Sequence, residues 1–277
     1  MGVLNTTPDS FSDGGLFLDA DAAIAHAREL IGEGADILDV GGESTRPGAE
    51  PVSAADELRR VLPVIEELAD AVSGVPGDPG AGRISIDTSK AAVARAALQA
   101  GASIVNDVTA LRGDPLMAEV VAESGCECCL MHMLGSPRTM QSDPVYRDVV
   151  DDVRAFLSER MAYAVRAGIS EDRIVLDPGI GFGKTVAHNL ALLRRLDELV
   201  ALGRPVLVGT SRKSFIGRLI AEDLGNGDEP VGPAHRLPGT IATNVLAYER
   251  GARIFRVHDV APVRAALAVA AATLGRR

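Results

Sequence analysis

Short apolar runs recur along the chain, and each run is followed by a polar residue and then by a turn-forming residue. Residues 174–176 read Ile-Val-Leu, and Asp177, Pro178 and Gly179 come directly after them. A run that is apolar at every position is typical of a parallel strand covered on both faces. Pro and Gly end such a strand, so Asp177 lies at its carboxyl end. Segments with helical spacing of apolar residues separate these runs, and the pattern predicts alternating strands and helices.

The pattern predicts eight strands, at 2–5, 36–40, 84–87, 104–107, 126–131, 174–177, 206–209 and 254–259. It predicts helices at 21–32, 53–69, 90–100, 115–124, 146–167, 189–202, 240–250 and 261–274. Strands that alternate with helices form a parallel sheet through right-handed crossovers. Eight such units in a chain of this length predict an α/β fold, a single (β/α)8 TIM barrel, as one domain over residues 1–277.

Composition and charge narrow the range of functions. The chain has 277 residues, of which 47% are apolar and 24% charged, so it can bury a full core. A formal net charge of −10 argues against nucleic acid or an anionic membrane surface as the main partner. The sequence contains no long apolar run, so we expect no transmembrane helix. It contains no signal-peptide pattern, so we expect no leader. Cys126, Cys128 and Cys129 form no disulfide framework, which favours a reducing cytoplasm.

Polar side chains stand at the predicted strand ends, which meet at one rim in a (β/α)8 barrel. The residues concerned are Asn5, Asp87, Asn106, Asp177, Lys213, Arg256 and His258. The carboxylates and amides offer hydrogen-bond acceptors and suit a flat heterocycle rich in N–H groups. The three basic side chains donate hydrogen bonds and suit phosphate or carboxylate oxygens. The sequence therefore predicts one pocket, with a polar ring at its floor and an anion at its mouth.

Some of these residues have simpler structural explanations. Asp87, and Asn106 with Asp107, precede predicted helices and could cap them. Asp177 is followed by no helix start, which favours a ligand role for the matching Asp87. Lys213 could be a solvated charge, but it follows an apolar strand closely. The Gly-rich segment 181–184 lacks the spacing of a Walker phosphate loop. The cysteines are expected to be core residues and not zinc ligands.

Several segments read, in chain order, NTTPDSFSDGG, GGESTRPGA, SIDT, VNDV, DPGIGFGK, VGTSRKS and FRVHD. They resemble bacterial dihydropteroate synthases over nearly the whole chain; the first two together are highly specific, whereas SIDT alone is weak. The resemblance implies a transferase of folate biosynthesis. Such an enzyme condenses (7,8-dihydropterin-6-yl)methyl diphosphate with p-aminobenzoate and releases pyrophosphate. It also implies Mg²⁺ as cofactor, a homodimer and a cytoplasmic location.

The resemblance also assigns roles to individual residues. The implied pterin-binding residues are Asp87, Asn106, Asp177 and Lys213, with Met131 and Phe182 near the faces of the ring. The implied diphosphate ligands are Thr45, Arg256 and His258, and Asn5 is implied to contact the Mg²⁺. The implied neighbours of p-aminobenzoate, where sulfonamides compete, are Phe11, Thr45, Arg46, Pro47 and Ser214.

The implied catalytic residues are Asp87, Asp177, Lys213, Arg256 and His258. The carboxylates would stabilise positive charge on the ring, and the basic groups would stabilise the leaving pyrophosphate. The loops at 5–15 and 43–48 are expected to close over the site and exclude water.

Two other functions share parts of this pattern. A pterin-binding barrel that serves a corrinoid methyltransferase would share the Asp, Asn and Asp floor. It would not be expected to pair the TPDSFSDGG loop with the TRPG and SRK segments. A paralogue that keeps the barrel and dimerises without catalysis is the third interpretation. All matched pterin and anion positions are present here, which argues against it.

Overall fold

The computed structural model describes residues 1–6, 20–45, 48–72, 82–225 and 229–275. Three predicted site residues, Phe11, Arg46 and Pro47, lie outside these ranges, and their placement stays a prediction. Most of the predicted loop at 5–15 also lies outside them, as do two residues of the loop at 43–48.

The described residues form eight strands, each parallel to its neighbours. They are β1 (Gly2–Asn5), β2 (Ile37–Gly41), β3 (Arg83–Asp87), β4 (Ile104–Asp107), β5 (Glu127–Met131), β6 (Ile174–Asp177), β7 (Leu207–Val208) and β8 (Ile254–Phe255). Strands β1 to β6 pair in sequence order, and β7 pairs with β8. Parallel bridges join Leu176 to Val206 and Gly2 to Val257, so the two sheets meet at both edges. The predicted (β/α)8 TIM barrel is confirmed.

At least one helix follows each strand. The helices are α1 (Ala20–Gly32), α2 (Ala54–Val72), α3 (Ala91–Gln99), α4 (Met117–Ser124), α5 (Val149–Arg166), α6 (Val186–Arg194), α7 (Leu196–Val200), α8 (Ser214–Asp223), α9 (Leu237–Glu249) and α10 (Val260–Thr273). Among the described residues, none of these helices is both long and apolar enough to cross a bilayer.

The prediction of one continuous helix at 189–202 is wrong. The chain forms α6 and α7 there, and Arg195 between them leaves the helical region, with φ −109° and ψ 30°. The Arg195 guanidinium donates to Asp148 at 2.7 Å and to Glu198 at 2.6 Å. These ion pairs hold the break in place, and Asp148 comes from a distant part of the sequence.

Helix α8 is absent from the predicted helices. Gly217 lies in its middle, and glycine lowers helix propensity by about 1 kcal/mol relative to alanine. A Cβ at this position would lie 2.6 Å from Arg236 Nε and 2.8 Å from the Val231 carbonyl oxygen. Close packing therefore requires glycine here. Because glycine disfavours a helix, the sequence pattern does not predict α8.

Apolar side chains of the strands separate into two layers, because successive residues of a strand point to opposite faces. Outward-facing residues such as Leu38 join helix residues such as Ile65 in the main core. A separate cluster fills the inside of the barrel and consists of Cys129, Val175 and Leu207, with Met1 and Ile254 packed against it. The three cysteines are free and buried, as expected of core residues.

The loop after β4 has a strained backbone that is held from two sides. Ala110 and Leu111 have φ values of 52° and 62°, a region that costs a non-glycine residue about 1–2 kcal/mol. The Asp107 carboxylate accepts a hydrogen bond from Leu111 N at 2.8 Å. Arg160, buried on α5, donates to the Ala110 carbonyl oxygen at 2.9 Å. This arrangement fixes the loop that carries Val108.

We expect Arg160→Met to lower the free energy of unfolding by about 2 kcal/mol, because it leaves buried carbonyl oxygens of a strained loop without their donor. Urea unfolding measures the change. The matched control is Arg166→Met, an exposed position on the same helix, which should change it by less than about 0.5 kcal/mol. Equal midpoints for the two variants would show that the loop does not depend on Arg160.

Candidate active site

Side chains from seven consecutive strand ends converge on one cavity, as expected for the carboxyl face of a barrel. The predicted residues that line it are Thr45, Asp87, Asn106, Met131, Asp177, Phe182, Lys213, Arg256 and His258. Val108, Gly209 and Ser211 line it as well and were not predicted. Ser214 does not line it; it is exposed and begins α8 directly after Lys213.

Arg256 lies between two buried carboxylates. Its Nε donates to Asp39 Oδ2 at 2.5 Å, and its Nη2 donates to Asp87 Oδ2 at 2.8 Å. The predicted separation of acidic floor and basic mouth is therefore wrong for Arg256. The physical reason is that a buried carboxylate needs a compensating cation, and Asp39 and Asp87 share this one.

Asp39 is the residue that the sequence analysis missed. It is fully buried in the middle of β2, and its Oδ2 also accepts from Asn106 Nδ2 at 3.1 Å. No turn residue follows it directly, so the rule that located the other strand-end residues does not find it. Its position between Leu38 and Val40, a carboxylate within an apolar strand, could have identified it.

Burial and pairing shift the acid–base properties of this group. Burial raises the pKa of Asp87 to about 7, and Arg256 acts in the opposite direction. Burial alone would lower the pKa of Arg256, but the nearby Asp39 and Asp87 carboxylates outweigh this effect and raise it. Arg256 therefore stays charged, whereas Asp87 changes its protonation state close to pH 7.

Lys213 and Asp177 form the opposite wall. Burial lowers the pKa of Lys213 to about 8, with Asp177 acting against this change, and burial raises the pKa of Asp177. Lys213 Nζ donates to the Ile180 carbonyl oxygen and lies 4.6 Å from the centroid of the Phe182 ring. Asp177 Oδ1 accepts from Gly179 N at 2.7 Å, which orients the carboxylate.

The turn after Asp177 has room only for glycine at Gly179. Its φ is 65°, and a Cβ there would lie 1.9 Å from the His132 carbonyl oxygen. Lys184 ends this loop, with its buried Nζ 2.9 Å from His132 Nδ1 and 3.0 Å from the Phe182 carbonyl oxygen. Burial lowers the pKa of Lys184 to about 7 and that of His132 to about 3. The neutral imidazole can therefore accept a hydrogen bond from the amine in this contact.

The loop that carries Thr45 is anchored by charges behind it. Lys90 Nζ donates to Glu43 Oε2 at 2.7 Å and to Glu57, whose side chain is fully buried on α2. Arg60 Nη1 donates to the Gly42 carbonyl oxygen at 2.7 Å. These contacts fix the base of the loop at the edge of the cavity.

The helix-cap explanations apply to neither Asp87 nor Asp107, because Lys90 and Leu116 occupy the N-cap positions of α3 and α4. Helix α3 has Lys90 at its N-cap without a side-chain cap bond, and Ala91 N donates to Asp114 instead. Asp107 accepts from the backbone of its own loop, whereas Asp87 is turned to Arg256.

Asn5 and Asp87 offer oxygens to one space above Gly41. A Cβ at Gly41 would lie 3.7 Å from Asp87 Oδ2 and 3.8 Å from Asn5 Oδ1. Amide and carboxylate oxygens suit Mg²⁺. Within the described ranges, no group of three or more His, Cys, Asp or Glu side chains is arranged to hold a metal. A Mg²⁺ ion here fits these residues if a ligand supplies most of its oxygens.

Comparison with known proteins identifies the family. The sequence profile described as "Pterin binding enzyme" matches residues 1–258. The chain is 46% identical to the dihydropteroate synthase of Escherichia coli (strain K12) over 277 residues, which are 100% of this chain and 92% of that protein. The chain belongs to the dihydropteroate synthase family. Membership confirms the resemblance seen in the motif segments, and it makes the protein a transferase.

Solved structures of dihydropteroate synthases have the same fold. The Yersinia pestis synthase, solved in a complex with a sulfonamide drug, gives a TM-score of 0.89 at 43% identity, over 99% of this chain and 93% of that one. The Xanthomonas albilineans synthase, solved in complex with 7,8-dihydropteroate, gives a TM-score of 0.83 at 44% identity, over 99% and 92%.

We expect Lys90→Met to lower the free energy of unfolding by about 3 kcal/mol, because Glu57 is left buried without its cation. Urea unfolding tests this, with Arg95→Met, which breaks an exposed ion pair with Glu123, as the control. The double variant Lys90→Met/Glu57→Met should recover most of the loss. A double variant less stable than Lys90→Met would contradict the explanation.

Proposed function

We propose that the protein condenses (7,8-dihydropterin-6-yl)methyl diphosphate with p-aminobenzoate to give 7,8-dihydropteroate and pyrophosphate. The observation that carries the proposal is one cavity lined both by acceptors, including Asp87 and Asp177, and by cations, including Lys213 and Arg256. Acceptors suit the N–H groups of a pterin, and cations suit a diphosphate. The X. albilineans complex with 7,8-dihydropteroate supports this ligand class.

The pterin ring binds at the acceptors. Arg256 occupies one oxygen of Asp87, and the Gly179 N–H occupies one oxygen of Asp177. Among the described residues, the second oxygen of each carboxylate is available for ring N–H groups. Met131 and Phe182 pack near the ring faces. As pyrophosphate leaves, positive charge develops on the ring, and the buried carboxylates stabilise it strongly because they are shielded from water.

Basic groups stabilise the leaving pyrophosphate. Arg256 Nη1 makes no hydrogen bond within the described residues and is available to the diphosphate, and His258 and Thr45 line the same cavity. Mg²⁺, when bound, would neutralise the diphosphate further, and the neighbouring oxygens of Asn5 and Asp87 would help to hold it.

The arylamine of p-aminobenzoate is itself the nucleophile, so the reaction requires no Ser or Cys nucleophile. Thr45 and Ser214 are the described members of its proposed site, together with Phe11, Arg46 and Pro47 outside the described residues. We expect the loops at 5–15 and 43–48, which lie partly outside the described residues, to close over this site and exclude water. The Y. pestis synthase, solved in a complex with a sulfonamide drug, supports sulfonamide binding by this protein.

We further propose that the enzyme consists of one domain, forms a homodimer and is located in the cytoplasm. Helices α9 and α10 pack together and leave Leu246 and Val269 exposed by 46% and 68%, which supports dimerisation through these late helices. Three buried, free cysteines fit a reducing compartment.

One assay separates the synthase from the two rival functions. The protein is supplied with the dihydropterin diphosphate, p-aminobenzoate and Mg²⁺, and pyrophosphate release is followed. Release that requires p-aminobenzoate and is inhibited by a sulfonamide supports the proposal. Release without p-aminobenzoate would indicate simple hydrolysis, and no release would favour the non-catalytic paralogue.

We expect Asp177→Asn to reduce kcat at least about tenfold, because it removes the charge that stabilises the cationic ring and changes little volume. Steady-state kinetics measure this. Asp172→Asn, an exposed position before β6, is the matched control. Near-wild-type kcat in Asp177→Asn would argue against the assigned role.

We expect Arg256→Ala to weaken binding of the diphosphate substrate at least about tenfold, because it removes a half-buried cation beside the leaving group. Calorimetry measures the affinity, and thermal unfolding checks that the variant is folded. Arg253→Ala, exposed at the other end of β8, serves as control. An unchanged affinity would refute the prediction.

A further inference from the structure

Asp39 is a buried carboxylate to which the proposed function gives no role. It does not line the cavity, yet its Oδ2 accepts from Arg256 Nε at 2.5 Å and from Asn106 Nδ2 at 3.1 Å. Arg256 and Asn106 both line the cavity. A single oxygen beneath the floor therefore contacts two residues that face the ligand.

The bond to Asn106 fixes which end of its amide faces the cavity. The Asp39 oxygen that meets Asn106 also faces Arg256 Nε, which can only donate, so this oxygen acts as a hydrogen-bond acceptor. The end of the Asn106 amide that meets Asp39 must therefore be the NH₂ group. The carbonyl oxygen is then left for the ligand, as an acceptor. A flipped amide would present donors to a ring that is itself rich in N–H donors.

The bond to Arg256 fixes the guanidinium at a second point, because Asp39 accepts from Nε while Asp87 accepts from Nη2. With Nε on Asp39 and Nη2 on Asp87, the planar group cannot rotate without losing a charge-assisted hydrogen bond. Without Asp39, Asp87 would be the one described carboxylate bonded to Arg256. The guanidinium would then compete fully with a ligand for the Asp87 oxygens.

We propose that Asp39 is a positioning residue that also determines specificity: it sets Asn106 as a hydrogen-bond acceptor and holds Arg256 at the cavity wall. This inference rests on the proposed function only in taking the ligand to be an N–H-rich ring. Asp39 itself touches no substrate.

The test variant is Asp39→Asn, which removes the acceptor-only character with little change in volume. The matched control is Asp36→Asn, an exposed position just before β2 that pairs with Arg264. Wild type and variants are titrated calorimetrically with 6-hydroxymethylpterin, and KM is measured for both substrates. Thermal unfolding checks folding.

In Asp39→Asn we expect the Kd of the pterin to rise at least about tenfold, and KM for the diphosphate to rise with it. KM for p-aminobenzoate should stay within about twofold, and the control should match wild type. A fall in kcat with unchanged pterin Kd and KM would indicate a merely structural role and would overturn the inference.

A second measurement needs no variant. In a crystal structure of the wild-type protein with bound pterin, Arg256 Nε and Asn106 Nδ2 should both remain within about 3.5 Å of Asp39. Departure of either group would overturn the inference. Failure of the wild-type protein to bind the pterin at all would instead overturn the proposed function.

Discussion

The barrel interior depends on the compensation of buried charge. Asp39 and Asp87 are both buried, and burying an unpaired carboxylate costs several kcal/mol. One guanidinium, that of Arg256, bonds to both of them. Two carboxylates against one cation leave a local excess of negative charge, and burial holds the pKa of Asp87 at about 7. Such a site favours a ligand that brings its own hydrogen-bond donors, as the pterin ring does.

The loops around the cavity depend on basic residues that lie behind them. Lys90 holds the loop of Thr45 through Glu43, Arg160 holds the carbonyl oxygen of a strained residue after β4, and Lys184 ties the loop of Phe182 to His132. Lys90 and Arg160 reach their loops from other segments, whereas Lys184 belongs to the loop that it ties down. Lys90, Arg160 and Lys184 therefore help to shape the cavity, although they do not line it.

Much of the fold and of the site could be predicted because both follow local rules. The residues at strand ends precede Gly or Pro or a polar loop, and the barrel brings these ends to one rim. Asp39 follows no such rule, because it lies in mid-strand and its partners are far away in the sequence. The break at Arg195 depends on Asp148 for the same reason. The position of a strand end also does not define the direction of a long side chain, and Arg256 extends toward Asp39 and Asp87.

The two sheets of the barrel carry opposite signs of charge at the cavity. The buried carboxylates Asp39, Asp87 and Asp177 all belong to the six-stranded sheet, whereas Lys213 and Arg256 follow the strands of the two-stranded sheet. Backbone pairing between the sheets is sparse, at one bridge on each edge. Attraction of Lys213 for Asp177 acts across one seam, and the ion pairs of Arg256 with Asp39 and Asp87 act across the other, so both help to close the barrel. Charged side chains of the candidate site therefore also stabilise the barrel where its backbone pairing is weakest.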